Sequence, residues 1–225
     1  MLAKMPATVR LLLLAILLLL KSQSSFSLTP ARSALRLPSY HPPHSTTAAA
    51  AATPAAGAPS CYILLSNLQS GSNIGAICRN ALSFNVSEVV IVGRPNSWKS
   101  KMRSADRGAK NMLKFESFPS TQLAAAYLKE ERGCTIIGLE IMPQAKSLVS
   151  YAFPPGNCAF VFGNEGGGLS ETQRALCDDF VYIPQYSAGM ASINVACVSA
   201  ITLQRFAVHA QYRESLRAEG AEKFM

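Results

Sequence analysis

Apolar positions in this chain fall in short blocks whose period switches repeatedly between strand and helix. Mostly apolar runs of four to six residues lie at 62–65, 88–92, 134–139, 158–162 and 180–183, and a weak strand-like segment lies at 113–117. Continuous runs of that length, without polar alternation, suit strands buried on both faces. Helical spacing separates them. It covers 73–84 through Ile74, Ile77, Ala81 and Leu82, and 121–132 through Leu123, Ala124, Tyr127 and Leu128. Two more helices are expected, one after Ser170 as N-cap through 177, the other from Ser192 as N-cap to about residue 212. Gly133 ends the second helix and Pro184 stops the last strand. Strands alternating with helices predict βαβ units, hence an α/β fold with a mostly parallel sheet flanked by helices.

The first sixty residues read differently. Residues 11–20 are an unbroken apolar run after Lys4 and Arg10, too short to span a bilayer but suited to the apolar core of a signal sequence. Ser-rich sequence, Arg32, Arg36 and Pro/Ala-rich low complexity follow, and no Asp or Glu occurs before Glu88. This order resembles a bipartite plastid-targeting presequence. A secretory signal, a membrane anchor or mitochondrial import are the alternatives. The expected organisation is a presequence and linker over 1–60, one domain over 61–212 and a polar tail over 213–225. No stable membrane association is expected after processing.

The net charge of +8 is mostly presequence, because five basic residues and no acids lie within 1–60; the remainder carries +3. Residues 94–114 concentrate Arg94, Lys99, Lys101, Arg103, Arg107, Lys110 and Lys114 against Asp106 alone. Such a basic loop is an electrostatic handle for phosphate, and Lys99, Lys101, Arg103, Arg107 and Lys110 are the candidate RNA contacts. A solvated loop is the alternative reading. The six cysteines are scattered without a CxxC pair and read as small core residues of a reducing compartment. His41 and His44 fall in the presequence and His209 in the last helix, so histidine nucleophile chemistry and a histidine-bound metal are not expected.

Three segments carry the candidate chemistry: 67–81, 160–171 and 182–196. Each leaves an apolar strand, turns through Gly, Asn or Ser, and enters a helix. At the same end of neighbouring parallel strands, such turns line a pocket for a polar ligand. GNEGGGLS (163–170) lacks both the Lys-Ser/Thr of a Walker A loop and the GxGxxG order of a dinucleotide fingerprint. Its glycines let backbone approach a ligand closely, and Glu165 stands unshielded among them. Arg79 suits an oxyanion or phosphate contact, with a surface ion pair as the alternative reading. Ser192 and Asn194 open the last helix, whose free N–H groups favour an anion.

Together the segments resemble the motifs of the SPOUT superfamily of RNA methyltransferases, in its TrmH-like (SpoU) branch. Motif one corresponds to Asn73, Gly75, Arg79 and Ala81. Motif two corresponds to Gly163, Asn164, Glu165, Gly168 and Leu169, and motif three to Ile183, Pro184, Ser192, Ile193, Asn194 and Val195. A looser connecting element lies at 104–109. Gln185 stands where many members carry Met, and Ile193 where Leu is usual. The resemblance implies a C-terminal deep trefoil knot, a homodimer, and transfer of the S-adenosylmethionine methyl group to a ribose 2′-OH of tRNA or rRNA. The implied catalytic residues are Arg79, Asn73, Glu165, Ser192 and Asn194, with Asn73 orienting Arg79 or the ribose and Glu165 positioning Arg79 or the substrate. Arg79 would act as general base or as electrostatic stabiliser. The implied cofactor contacts are Phe162, Gly163, Asn164, Gly168, Ile183, Met190 and Ser192, and no metal is implied. A non-catalytic RNA-binding module and a small-ligand-binding α/β protein remain alternatives.

Overall fold

Each predicted apolar run forms a strand, and a two-residue seventh joins them. The computed structural model describes residues 57–93, 108–189 and 192–215. Strands β1 (Cys61–Leu65), β2 (Glu88–Val92), β3 (Phe115–Phe118), β4 (Thr135–Leu139), β5 (Lys146–Ser147), β6 (Cys158–Phe162) and β7 (Asp179–Tyr182) alternate with helices. These are α1 (Gly71–Ser83), α2 (Thr121–Ala126), α3 (Glu171–Leu176) and α4 (Val195–His209). The strands hydrogen-bond in the order β3-β2-β1-β6-β4-β7-β5, and every pairing is parallel.

The apolar runs are explained by cores on both faces of this sheet. On one face Ile63, Leu65, Phe160 and Phe162 meet Ile74 and Ile77 of α1 and Leu203 and Phe206 of α4. On the other, Tyr62, Leu64, Ala159 and Val161 meet Ala124, Leu128 of the turn after α2, and Leu169. Phe160, Phe162 and Phe206 are fully buried, and each such side chain contributes roughly 1.5–3 kcal/mol by leaving water. Phe153 packs edge-on against Phe160 and Phe206, with ring centroids 6.0 and 5.3 Å apart. His209 packs on the same cluster, 5.1 Å from the Phe153 ring, away from the three turns.

Several boundaries shift for local reasons. Helix α1 begins at Gly71 because the Ser70 hydroxyl accepts from the Asn73 N–H. The Ser170 cap is a full capping box with Gln173. Helix α2 ends early and widens into a π-turn over Tyr127–Glu131. There the Tyr127 hydroxyl donates to the buried Glu88 carboxylate at 2.9 Å, and the Arg132 guanidinium donates to the same oxygen at 3.1 Å. The cap of α4 is a correction: Asn194, not Ser192, accepts from the Ala196 N–H at 2.8 Å. Ser192 lies two residues outside the helix and is exposed. Strand β5 has two residues, neither buried, and so carries no apolar signal. Four cysteines are buried, Cys177 is half-buried and Cys197 is exposed, so Cys197 departs from the core expected of it. Among the described residues, no helix is long and apolar enough to cross a membrane and no side-chain cluster suits a metal ion.

Candidate active site

In a sheet whose strands all run one way, the segments leaving them gather at one end. The turns after β1, β6 and β7 therefore meet, together with the segment after β4. A cavity of about 460 Å³ opens among the segments after β4, β6 and β7, while the turn after β1 lies beside it and is joined by hydrogen bonds. Phe162, Gly163, Asn164, Gly168, Ile183 and Ser192 all line it, and so do Glu165 and Asn194. Leu139, Phe162, Val181 and Ile183 supply apolar wall; Glu140, Arg174 and Gln185 supply polar groups.

The glycine turn after β6 is built by its own backbone. Asn164 and Gly168 exchange N–H···O bonds of 2.8 and 3.0 Å, and the Asn164 Oδ1 accepts from the Gly166 and Gly167 N–H groups at 2.9 and 3.3 Å. Gly168 has φ +64°, a left-handed conformation that favours glycine. Gly163 is needed for space, since a Cβ there would lie 2.4 Å from the Gly168 carbonyl carbon. A Cβ at Gly168 would strike the Glu140 carboxylate. That carboxylate accepts from the Leu169 N–H at 2.6 Å and from the Ile141 N–H at 3.1 Å, so the end of β4 holds the turn of β6.

The three segments are joined by side chains. The Asn164 amide donates to the Asn67 carbonyl at 2.8 Å. Glu165 accepts from the Gln69 and Ser70 N–H groups at 3.3 and 3.0 Å and from the Asn73 amide at 3.0 Å. A carboxylate is thereby seated on the N-terminus of α1, where the free N–H groups and helix dipole stabilise negative charge. Asn73 in turn accepts from the Asn194 amide at 3.2 Å. One residue from each segment thus forms the chain Glu165–Asn73–Asn194. Partial burial opposes the Glu165 charge, but hydrogen bonds from Asn73 and from the N–H groups of Glu165 itself, Ser70 and Gln69 outweigh it and lower its pKa.

That shift has a sign. A carboxylate whose pKa is lower folded than unfolded stabilises the fold fully above the unfolded value, about 4.3, and loses that contribution as pH falls through the folded value. Replacing Glu165→Gln should therefore lower the thermal midpoint near neutral pH, with the gap to wild type closing as pH drops below about 4. Melts recorded across that range check this, and a gap independent of pH contradicts it.

Arg79 stands apart from this group. It is exposed on α1, does not line the cavity, and no hydrogen bond or ion pair joins it to Asn73 or Glu165. Within one chain, the Asn73 and Glu165 side chains are instead engaged in joining the three segments. The expectations for Met190, Lys99, Lys101, Arg103 and Arg107, and for the side chain of Lys110, lie outside the described residues, as do residues 1–56.

The sequence reading missed four supports. Glu140 holds the glycine turn. Arg174 places a guanidinium on the cavity wall from α3. Gln173, buried, donates to the Ser66 hydroxyl at 2.9 Å and fixes α3 to the end of β1. Asn80 donates to the Ala196 carbonyl and the Ser199 hydroxyl at 2.8 and 2.9 Å, joining α1 to α4. The capping-box spacing of Ser170 and Gln173 was a usable signal for Gln173; the others show only in three dimensions.

Residues 60–204 match the model of the SpoU rRNA Methylase family. The 23S rRNA (guanosine-2′-O-)-methyltransferase RlmB of Acinetobacter baylyi is 28% identical over 132 residues, 58% of this chain and 52% of that protein. The tRNA (guanosine(18)-2′-O)-methyltransferase of Thermus thermophilus is 29% identical over 147 residues, 64% of this chain and 73% of that protein. The chain spans about half the length of the RlmB relatives it matches. Among solved structures, the SpoU methyltransferase AviRb of Streptomyces viridochromogenes, in complex with the cofactor AdoMet, superposes with a TM-score of 0.59 at 21% identity. The match covers 68% of this chain and 58% of AviRb, a likeness of fold.

Proposed function

Because this chain belongs to the SpoU rRNA methylase family, we propose that it transfers a methyl group from S-adenosylmethionine to a ribose 2′-hydroxyl of tRNA or rRNA. The observation that carries this reading is the chain Glu165–Asn73–Asn194 beside the cavity, which draws all three motif segments into one site. The cavity suits the cofactor in kind. Its volume is that of a small-molecule site. Leu139, Phe162, Val181 and Ile183 offer an apolar wall for the adenine, and the glycine turn, free of side chains at Gly163 and Gly168, lets backbone come close. Arg174 and Glu140 offer opposite charges for the amino-acid end.

When bound, S-adenosylmethionine supplies a methyl group made electrophilic by its sulfonium. The chain's own residues do the rest. Asn194 and Ser192 bring the start of α4 to the cavity wall, where the free N–H groups of the helix hold negative charge. The Glu165 clamp fixes the start of α1, the helix that carries Arg79. With its planar fork of donors, Arg79 acts by stabilising the alkoxide that develops as the hydroxyl proton passes to solvent water, and by gripping the adjacent phosphate. Holding both reactants in line contributes roughly 7–11 kcal/mol.

The active form in this proposal is a homodimer. Helix α4 leaves Cys197, Ile201 and Val208 exposed at helical spacing, Ile201 at 44% and Val208 at 60%. It packs beside α1, so pairing through this stripe places Arg79 near the seam between copies. Light scattering is expected to return twice the chain mass, falling to one for the double substitution Ile201→Asp and Val208→Asp; a wild type with the mass of a single chain overturns this part. The trefoil knot is likewise proposed, supported by the placing of β7 between β4 and β5.

Incubating the purified protein with methyl-labelled S-adenosylmethionine and unmodified tRNA or rRNA tests the activity, and label in RNA is expected. RNA binding without label favours a non-catalytic RNA-binding module, and binding of neither RNA nor cofactor favours a protein for another small ligand.

A further inference from the structure

Tyr186 is 91% exposed, the most exposed of the large apolar side chains among the described residues. It lies on the segment between β7 and α4 that passes the cavity: Ile183 and Gln185 before it line that cavity, and so does Ser192 after it. No hydrogen bond or ring contact joins it to another described residue. A ring that stays in water gives the fold almost nothing, since aromatic side chains stabilise by leaving it. What the ring offers instead is a bare π-face on the segment that borders the cavity. Beside it, the Gln185 carboxamide carries both donors and an acceptor.

We infer that Tyr186 is a stacking platform for an unpaired nucleobase next to the ribose that is methylated, so that the RNA is engaged at a looped or single-stranded segment. The inference rests on the reading of the chain as an RNA methyltransferase and names the class of RNA it takes. In a helix both faces of each base are covered by neighbours, and A-form geometry presents ribose and phosphate but no free base face. An exposed aromatic is useful only to a base already out of the stack. Stacking tolerates any base because each has a π-face, so Tyr186 contributes affinity and position, and Gln185 supplies an edge contact.

The test uses the full chain, a hairpin RNA with an unpaired loop, and a fully paired duplex containing the same strand. Fluorescence anisotropy at fixed salt gives each affinity. Wild type should prefer the hairpin. Tyr186→Ala should weaken hairpin binding at least about fivefold, while Tyr186→Trp keeps it. Duplex binding, S-adenosylmethionine affinity and the thermal midpoint should not move, because the ring is in water and off the cavity wall. Hairpin binding unchanged by Tyr186→Ala, or wild type holding duplex as tightly as hairpin, overturns the inference. A Tyr186→Ala protein of altered mass by light scattering also overturns it, by placing the ring between copies of the chain. Wild type that binds neither RNA at low salt fails the underlying reading as well, which separates the two failures.

Discussion

Arg79→Ala should leave S-adenosylmethionine bound with wild-type affinity and remove nearly all methyl transfer. Losing one preorganised donor at a developing oxyanion costs on the order of 10²–10³ in kcat. Two structural facts make the outcome specific. Arg79 lies off the cavity wall, so the cofactor loses no contact within its own chain. Arg79 is also exposed on α1, and substitutions at such positions change stability by no more than about 0.5 kcal/mol. Single-turnover kinetics at saturating cofactor, paired with calorimetric titration of S-adenosylmethionine, separate chemistry from binding. Arg79→Lys should recover only part of the rate, because an ammonium keeps the charge and loses the planar fork. Joint loss of cofactor binding and turnover in Arg79→Ala would remove Arg79 from the chemistry.

The second large effect is expected from a single methyl group. Gly163→Ala places a Cβ 2.4 Å from the Gly168 carbonyl carbon and 2.7 Å from the Leu169 nitrogen. Both are backbone atoms, tied in place by the Asn164–Gly168 pairing and the Glu140 carboxylate, so neither can swing aside. Overpacking of this kind costs typically 1–3 kcal/mol, and the turn that relieves it is the one lining the cavity. The variant should melt earlier and bind S-adenosylmethionine weakly. Gly167→Ala is the control, four residues on in the same turn, with nothing within 4 Å of an added Cβ. It should stay near wild type in both measurements. Equal effects from the two substitutions would mean that the turn tolerates crowding and that its glycines answer to something other than space.

Strands were the most legible part of the chain. Layers on both faces make β1, β2, β4 and β6 largely apolar runs that stand out from helical spacing, while β3, with Glu116 and Ser117 at its centre, gave a weaker signal. Only β5 escaped, being two residues of Lys and Ser paired to β7. Helix starts were legible where a single cap residue was on offer, as at Ser170. At the last helix, Ser192 and Asn194 are both good caps two positions apart, and sequence has no means of choosing. The fold chose through the Asn194 amide, which reaches Asn73 on another segment. Six of the seven expected cofactor contacts fall on the cavity wall, and the seventh, Met190, lies outside the described residues. Motif order carried that placement, because glycine and small polar residues after a strand leave few places for the backbone to go. Glu140 was illegible for the opposite reason. At the end of a strand it reads as a surface acid, and its work, accepting from the Leu169 N–H twenty-nine positions on, is wholly tertiary. The position of Arg79 relative to the cavity was equally hidden, since a helical motif fixes spacing along the chain and says nothing of which cavity a side chain serves.

The central claim is that the three joined segments deliver a methyl group to a sugar oxygen. It is tested most directly by the fate of labelled RNA in alkali. Strand scission in base proceeds through the 2′-oxygen, so a methylated ribose protects the bond beside it. RNA labelled by this protein from methyl-labelled S-adenosylmethionine, then hydrolysed to completion in alkali, should retain its label in alkali-resistant dinucleotides. Label recovered only in mononucleotides would place the methyl group on a base and contradict the account.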